Sequence, residues 1–453
     1  MCLSAKSWND QYMASMRNRA VKLLLESHKT GKYIDRLLAE SLSDNNLSDQ
    51  EKRFLTELVK GTARMQGLLN FYLKELIKGR LKNVKIPIRY ILIIGLYQLI
   101  YMDSIPAYAA INESVKLAKK FGNERDGRLV NAVLRNFERG RSELQKKIES
   151  FPDEERISIE YSHPEWLIKR WIERFGKTDT EKLCSYNNRV PRLSVRLNNL
   201  LEEHPKIRHL MKKEPDKITK STFLENYYTF EKGYDNSVWE AFDEGEFTIQ
   251  DISAGFPIRL LAPEAGETVI DLCSAPGGKT GAIVESMGDS GRVIAVDSDE
   301  YRLSLVKEHG ERLGLSSIDY IHGDGSAIDL PLADRILVDV PCSGTGVFAK
   351  RADIRWQRKE TDIEKLVKLQ LNLLQHASEQ LKKGGILVYS TCTMEQEENW
   401  GVVDKFLENN LNFKVESADK FVSKELTDKK GAVATYPFKH YIDGSFCVRM
   451  TKS

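Results

Sequence analysis

From about residue 247 onward, the chain alternates short runs rich in Val and Ile with helical segments, and this pattern restricts the fold more than any other feature. The runs are ETVIDL (267–272), RVIAVD (292–297), IDYIHGD (318–324), RILVDV (335–340) and GILVYST (385–391). Such alternation predicts βαβ units and a parallel sheet covered on both faces. Ligands bind beyond the carboxyl ends of the strands in sheets of this kind, so the residues that close these runs form the candidate site.

The rest of the chain predicts two further domains, which is reasonable for 453 residues. Residues 1–140 have apolar positions at helical spacing and little strand-like alternation, which predicts an all-α domain. Residues 141–240 contain an amphipathic helix that ends at Gly176 and the alternating run LSVRLN (193–198), which predicts a small α+β connecting domain. Residues 241–453 then form the α/β domain.

Charge is distributed unevenly along the chain. Residues 1–140 hold 24 Lys and Arg against 14 Asp and Glu, whereas the remaining residues hold 44 against 52. A basic domain joined to an acidic remainder is typical of a polyanion-binding module. A soluble helical domain that happens to be basic is the alternative, and charge alone leaves both open.

Cysteine spacing and hydropathy exclude several classes of protein. The six cysteines are scattered with no pair at CxxC spacing, so we predict neither a disulfide framework nor a metal site. The first residues lack the apolar stretch of a signal peptide. The most apolar segment, Ile86 to Met102, contains Arg89 and Gly95 and is short for a bilayer span. We therefore expect a cytoplasmic protein that does not contact a membrane.

The first three runs end in residues that suit an adenosine ligand. DLCSAPGGKT (271–280) passes directly into a helix, and its adjacent Gly277 and Gly278 allow a tight turn and close approach of a ligand. It matches neither of the glycine patterns for dinucleotides or nucleoside triphosphates. Asp297 is placed to accept hydrogen bonds from ribose hydroxyls, and Asp324 from an exocyclic amine of adenine. Each feature alone could be a plain turn or a helix cap.

The last two runs end in cysteines, within DVPCSGTG (339–346) and STCT (390–393). A lone cysteine is usually a small buried hydrophobic residue. Here both Cys342 and Cys392 follow a strand among small polar residues, where nearby helix N-termini could stabilise a thiolate. Two such cysteines beside an adenosine site predict covalent chemistry on an electrophilic ring.

The strings DLCSAPGGKT, DVPCSGTGV, RADIRWQRKETDI, GGILVYSTCTMEQEEN and DGSF resemble the motifs of the bacterial small-subunit ribosomal RNA cytosine-5 methyltransferases, known as RsmB, Sun or Fmu within the Nop2/Sun group. LSDQEKRFLTELVKGTAR, INESVKLAKKFG and LVNAVLRN are similar to the NusB-type RNA-binding domain of these enzymes. HPEWLIKRW and VRLN resemble their connecting domain. The resemblance covers nearly the whole chain and implies a Rossmann-like class I methyltransferase domain at the C-terminus.

The resemblance implies the chemistry and the residues that perform it. S-adenosyl-L-methionine would donate a methyl group to carbon 5 of a cytosine in RNA, most simply 16S ribosomal RNA. By resemblance Cys392 is the nucleophile, Cys342 serves product release and Asp339 contacts the cytosine ring. The base must leave its stack to reach both thiols, so single-stranded or loop RNA is expected. The positions matching the cofactor site are Cys273, Ser274, Ala275, Pro276, Gly277, Gly278, Lys279, Asp297, Asp324 and Asp339.

Three positions depart from the family pattern. Ala352 stands where the family usually has a proline, and Gln396 or its neighbour stands where a second proline is usual. Ser445 precedes Phe446 where the family usually has two phenylalanines. None is among the expected catalytic residues. Two alternatives stay open, namely methylation of another RNA and a non-catalytic RNA-binding assembly protein. The sequence leaves the target nucleotide and the oligomeric state undetermined.

Overall fold

The computed structural model describes residues 5–44, 46–77, 81–231 and 237–453. The described helices are α1 (Ala5–Thr30), α2 (Ile34–Leu42), α3 (Asp49–Arg64), α4 (Gln66–Ile77), α5 (Ile86–Tyr101), α6 (Ala107–Phe121), α7 (Glu124–Glu149), α8 (Asp153–Glu160), α9 (Glu165–Phe175), α10 (Lys177–Asn187), α11 (Pro205–Lys213), α12 (Ser237–Asp243), α13 (Phe256–Leu261), α14 (Gly278–Ser286), α15 (Glu300–Leu313), α16 (Ile354–Gln357), α17 (Glu360–Glu379), α18 (Trp400–Asn409) and α19 (Pro437–His440).

The described strands are β1 (Leu193–Leu197), β2 (Ile218–Lys220), β3 (Tyr227–Phe230), β4 (Phe247–Ile249), β5 (Thr268–Asp271), β6 (Arg292–Asp297), β7 (Ile318–His322), β8 (Ala333–Asp339), β9 (Leu381–Thr391), β10 (Phe413–Glu416), β11 (Val433–Thr435) and β12 (Ser445–Lys452). The chain divides into two compact units. The first contains the residues up to Arg189 together with Phe348–Gln357, and the second contains Val190–Val347 and Arg358–Ser453.

The first unit is helical, as the apolar spacing predicts. Ser48 caps α3 by accepting a hydrogen bond from the amide of Glu51, whose carboxylate accepts one from the amide of Ser48 in return. Helix α5 is buried along most of its length, and Gly95 lets it lie close to Leu134 of α7. Within the described residues, no helix combines the length and apolarity needed to cross a bilayer.

A late segment of the chain, Phe348–Gln357, belongs to this helical unit. Arg355 is fully buried and donates to the carbonyls of Ser162 and Asn187 and to the side chain of Asn188. Trp356 donates its ring N–H to the carbonyl of Ala63 at 3.0 Å. The segment thus returns the chain to the helical unit directly after the loop that carries Cys342.

The second unit begins with a small antiparallel sheet in the order β2-β3-β1-β4, which packs with α11 and α12 around a core that includes Val195, Leu210 and Phe247. This arrangement confirms the α+β character of the middle of the chain. The predicted limits of the three domains, at 140/141 and 240/241, stay a prediction. Helix α7 continues through the first of these limits.

The larger sheet of the second unit has the order β10-β12-β9-β8-β5-β6-β7, with β11 paired to β12. Strands β5 to β9 are parallel, so all five predicted runs are confirmed as strands. The sheet as a whole is mixed, because β12 pairs antiparallel with β9 and β10 pairs antiparallel with β12. The sequence pattern missed these last strands, since β10 and β11 are very short and β12 contains Arg449 and other polar residues.

Candidate active site

The candidate site lies where the order of the parallel strands reverses. From β5 the chain proceeds outward through β6 and β7, and it then returns to β8 and β9 on the other side of β5. The carboxyl ends of β5 and β8 therefore border a crevice, which is where open α/β sheets bind ligands. The loops after these two strands carry the glycine turn and Cys342, and the loop after β9 carries Cys392.

The loop after β5 is fixed to its neighbour β6 by its own backbone. The amide and the hydroxyl of Ser274 both donate to the carbonyl of Val296, and the amide of Ala275 donates to the carboxylate of Asp297. The peptide bond between Ala275 and Pro276 is cis. Gly277 has φ +103°, and a Cβ there would come within 3.0 Å of the backbone of Val306. Only glycine fits this turn comfortably, and α14 begins directly after it.

Asp271 lies beneath this loop and is fully buried. One carboxylate oxygen accepts a hydrogen bond from the Thr280 hydroxyl at 2.7 Å, while the other has no protein partner among the described residues. Burial raises the pKa of Asp271 to about 7. An unpaired buried acceptor next to a glycine turn and a helix N-terminus fits a ligand that brings hydrogen-bond donors, as S-adenosyl-L-methionine does.

Lys279 and Asp339 form an ion pair between the start of α14 and the end of β8. The Lys279 ammonium lies 2.6 Å from the Asp339 carboxylate, which also accepts a hydrogen bond from the Ser390 hydroxyl. Burial lowers the pKa of Lys279, but the charges of Asp339, Cys392 and Asp271 outweigh it and the pKa is raised overall. Lys279 therefore stays cationic beside the thiols, where a positive charge favours a thiolate.

The two cysteines meet at the ends of β8 and β9. Their Sγ atoms are 3.2 Å apart, and no disulfide joins them. Cys342 is buried, whereas Cys392 is partly exposed. The hydrogen bond with Cys392, followed by burial, holds the pKa of the Cys342 thiol well above its ordinary value. This environment favours the protonated form of Cys342.

Glu398 links the two loops that carry the cysteines. Its fully buried carboxylate accepts hydrogen bonds from the amide of Ser343, the side chain of Gln370 and the hydroxyl of Thr393. Ser343 and Thr393 directly follow the two cysteines, and their hydroxyls are 2.7 Å apart. The pKa of Glu398 is raised because burial outweighs these hydrogen bonds.

The remaining predicted residues lie along the other side of the sheet. Asp297 ends β6, is 4% exposed and accepts hydrogen bonds from the amides of Ala275 and Asp299. Asp324 follows β7, is exposed and accepts from the amide and hydroxyl of Ser326. The structure thus brings Cys342, Cys392, Lys279 and Asp339 into one cluster, while Asp324 has no hydrogen bond to any of them.

The chain matches three family models in sequence order: NusB family over residues 14–139, an RsmF/B-like ferredoxin-like domain over 163–234 and 16S rRNA methyltransferase RsmB/F over 258–451. It is 34% identical over 97% of its length to the probable ribosomal RNA small subunit methyltransferase B of Synechocystis sp., of which it covers 100%. It is also 34% identical to the Bacillus subtilis protein of the same name, covering 97% of this chain and 99% of that one. The chain belongs to the RsmB/F family of 16S rRNA methyltransferases.

A solved structure agrees with this assignment. The methyltransferase homolog from Pyrococcus horikoshii is 26% identical, with a TM-score of 0.57 over 67% of this chain and 100% of that one. As an RsmB/F protein, the chain is an S-adenosyl-L-methionine-dependent ribosomal RNA methyltransferase. The predicted family, fold class and cofactor are confirmed.

Sequence reasoning did not identify Glu398 or Ser390 as parts of the site. Ser390 lies within the last strand run, where the pattern predicts a strand residue and nothing more. Glu398 lies in MEQEEN, where the sequence gives no basis for choosing one of the three glutamates. A glutamate six residues after a candidate nucleophile, in a polar turn, is typical of an exposed position, yet this one is completely buried.

We expect Glu398→Gln to slow methyl transfer about 10- to 100-fold, because the amide places donors opposite the Ser343 amide and costs roughly 1–3 kcal/mol of loop positioning. S-adenosyl-L-methionine affinity should stay unchanged, since Glu398 contacts none of the loops after β5 to β7. Glu397→Gln, at the exposed neighbour, is the matched control. Steady-state kcat together with calorimetric cofactor binding measures both quantities. A wild-type rate, or an equal loss of cofactor affinity, would contradict the positioning role.

Proposed function

We propose that this RsmB/F protein methylates carbon 5 of a cytosine in 16S ribosomal RNA through a covalent bond between Cys392 and the base. The observation that carries this proposal is the 3.2 Å separation of the Cys342 and Cys392 Sγ atoms at the ends of neighbouring strands. A non-catalytic assembly protein would have no need for two thiols held together above a cofactor site. We expect the protein to act in the cytoplasm, where ribosomal RNA is processed.

Carbon 5 of cytosine is too weak a nucleophile to take up the methyl group directly. The reaction therefore requires a nucleophilic side chain of the protein to activate the ring. Cys392, as thiolate, adds to carbon 6, and the electron pair of the 5,6 double bond becomes available at carbon 5. S-adenosyl-L-methionine, when bound, supplies the methyl group that forms the new bond to carbon 5. A base then takes the hydrogen of carbon 5 as a proton, and the electrons of that C–H bond expel Cys392 as thiolate.

Each side chain of the cluster has a distinct role in this scheme. Lys279 and the Cys342 S–H both stabilise negative charge on Cys392 before attack. Cys342 then serves the release step, for which its sulfur is within contact distance of the departing Cys392. Asp339, held by Lys279 and Ser390, contacts the cytosine ring. Since the thiols lie in a crevice, the target base must leave its stack.

The cofactor would be held by the loop from Cys273 to Lys279 and by Asp297, Asp324 and Asp339. Support comes from the shape of the Gly277 turn, from the unpaired oxygen of Asp271 and from the row of carboxylates along the strand ends. Asp297 would accept from the ribose hydroxyls and Asp324 from the adenine amine. The basic domain at residues 1–140 would supply much of the affinity for RNA.

Asp297→Ala should weaken S-adenosyl-L-methionine binding by about 1–3 kcal/mol, because ribose hydroxyls would lose their acceptor. Asp319→Ala removes a carboxylate from β7 that is half exposed and paired with Arg292, and this control should bind like the wild type. Isothermal calorimetry with purified full-length protein measures both affinities. Unchanged affinity in Asp297→Ala would remove Asp297 from the cofactor site.

The roles of the two cysteines can be distinguished by trapping the covalent adduct between protein and RNA. Cys392→Ser should abolish methyl transfer and form no adduct, since a serine hydroxyl is scarcely ionised near neutral pH. Cys342→Ser should attack and methylate once, then stall as an RNA-dependent band of reduced mobility on a denaturing gel. The double variant should lose that band. The reverse pattern, with an adduct from Cys392→Ser alone, would exchange the two roles.

A further inference from the structure

One face of α7 carries four arginines, Arg125, Arg128, Arg135 and Arg139, which we call the arginine stripe. Their spacings of three, seven and four residues place them on one side of the helix. The side that α7 buries is formed by Gly127, Val130, Val133, Leu134 and Phe137, and the stripe lies on the opposite side. All four arginines are exposed. The stripe is about 21 Å long at 1.5 Å per residue.

Some other basic residues of the helical unit are neutralised by carboxylates within it. Arg36, Lys116 and Lys169, for example, form ion pairs with a carboxylate three or four positions away on their own helices. Among the residues that the structure describes, none of the four stripe arginines forms an ion pair. The acidic residues at the start of α7 do not serve them, because Glu124 pairs with Lys119 and Asp126 with Lys85.

The stability of helix α7 does not explain why these four arginines lie on one side of it. Arginines three or four positions apart on a helix surface repel one another, which destabilises the helix by a few tenths of a kcal/mol per pair. The stripe arginines also do not pack against the hydrophobic core, since they lie on the opposite side of the helix. A role outside the folded chain, with a partner of opposite charge, explains its presence better.

Two of these guanidinium groups are held in place before any partner arrives. Arg135 donates through Nε to the Asn131 side chain at 3.1 Å, and Arg139 donates to the Asn136 side chain at 2.7 Å. Arg139 also donates through Nε to the carbonyl of Arg135 at 3.3 Å. Held guanidinium groups lose less conformational freedom on binding, and their paired N–H donors match phosphate oxygens.

We propose that the arginine stripe of α7 is the surface on which the RNA phosphodiester backbone docks. This inference rests on the proposed RNA substrate and names the part of the basic domain that binds it. Successive phosphates along one strand carry the repeated negative charge that a line of about 21 Å of arginines can neutralise. Contacts to phosphate position a substrate without reading its sequence, which leaves recognition of the target cytosine to the crevice with the thiols.

The test is a pair of triple variants of the full-length chain that remove the same net charge. The first is Arg128→Gln, Arg135→Gln and Arg139→Gln. The second is Arg36→Gln, Lys116→Gln and Lys169→Gln, whose residues are exposed but ion-paired. Binding of a fluorescently labelled single-stranded RNA of mixed sequence is measured by anisotropy across a salt series. Calorimetry with S-adenosyl-L-methionine checks that both variants are folded at the cofactor site.

The stripe variant should bind the RNA at least tenfold more weakly at low salt. Its slope of log affinity against log salt should fall by about 2, because each lost phosphate contact with a single strand removes roughly 0.7. The control should change less than threefold. Equal losses of RNA affinity in both variants would show that only the total charge matters. Unchanged affinity in the stripe variant would leave an acidic protein as the partner of the stripe. Either result overturns the proposal. If the wild type binds no RNA, the proposed function itself fails.

Discussion

The contact between two thiols on adjacent parallel strands is the constraint on which the rest of the site depends. Asp339 and Ser390 are register partners on β8 and β9, so the loops that follow them leave the sheet side by side. Cys342 and Cys392 can be 3.2 Å apart only because those strands are parallel and neighbouring. Lys279 places a positive charge in the same cluster, and Glu398 ties the two cysteine loops together.

The strand order places the residues expected to bind the cofactor and the two thiols at one crevice. Strand β5 lies between β6 and β8, so its glycine turn is next to both the ribose-binding carboxylate expected on β6 and Asp339 on β8. The loop after β5 is held by hydrogen bonds to β6, and it directs Lys279 toward β8. One short loop therefore connects the cofactor half of the crevice with the half that would bind the base.

Local sequence predicted the parts of this arrangement that depend on local chemistry. The five Val- and Ile-rich runs are strands, and the glycine turn, Asp297 and both cysteines follow them as predicted. What it missed depends on contacts between distant residues. Glu398 and Arg355 are of charged types that are seldom fully buried, but partners far away in the chain bury both. The antiparallel strand β12 pairs with β9, which no periodicity in residues 445–452 indicates. Trp356 also shows why the basic domain is better tested by point substitutions than by deletion, since its ring N–H would lose the carbonyl of Ala63.

We propose that the paired thiols serve methylation of carbon 5 of cytosine in 16S ribosomal RNA. Bisulfite sequencing of ribosomal RNA from cells with and without the gene tests it directly, because 5-methylcytosine resists conversion and unmodified cytosine does not. One 16S cytosine should be protected in the parent, converted in the deletion strain, and protected again when wild-type protein but not the Cys392→Ser variant is restored. Identical conversion patterns in the ribosomal RNA of both strains would contradict it.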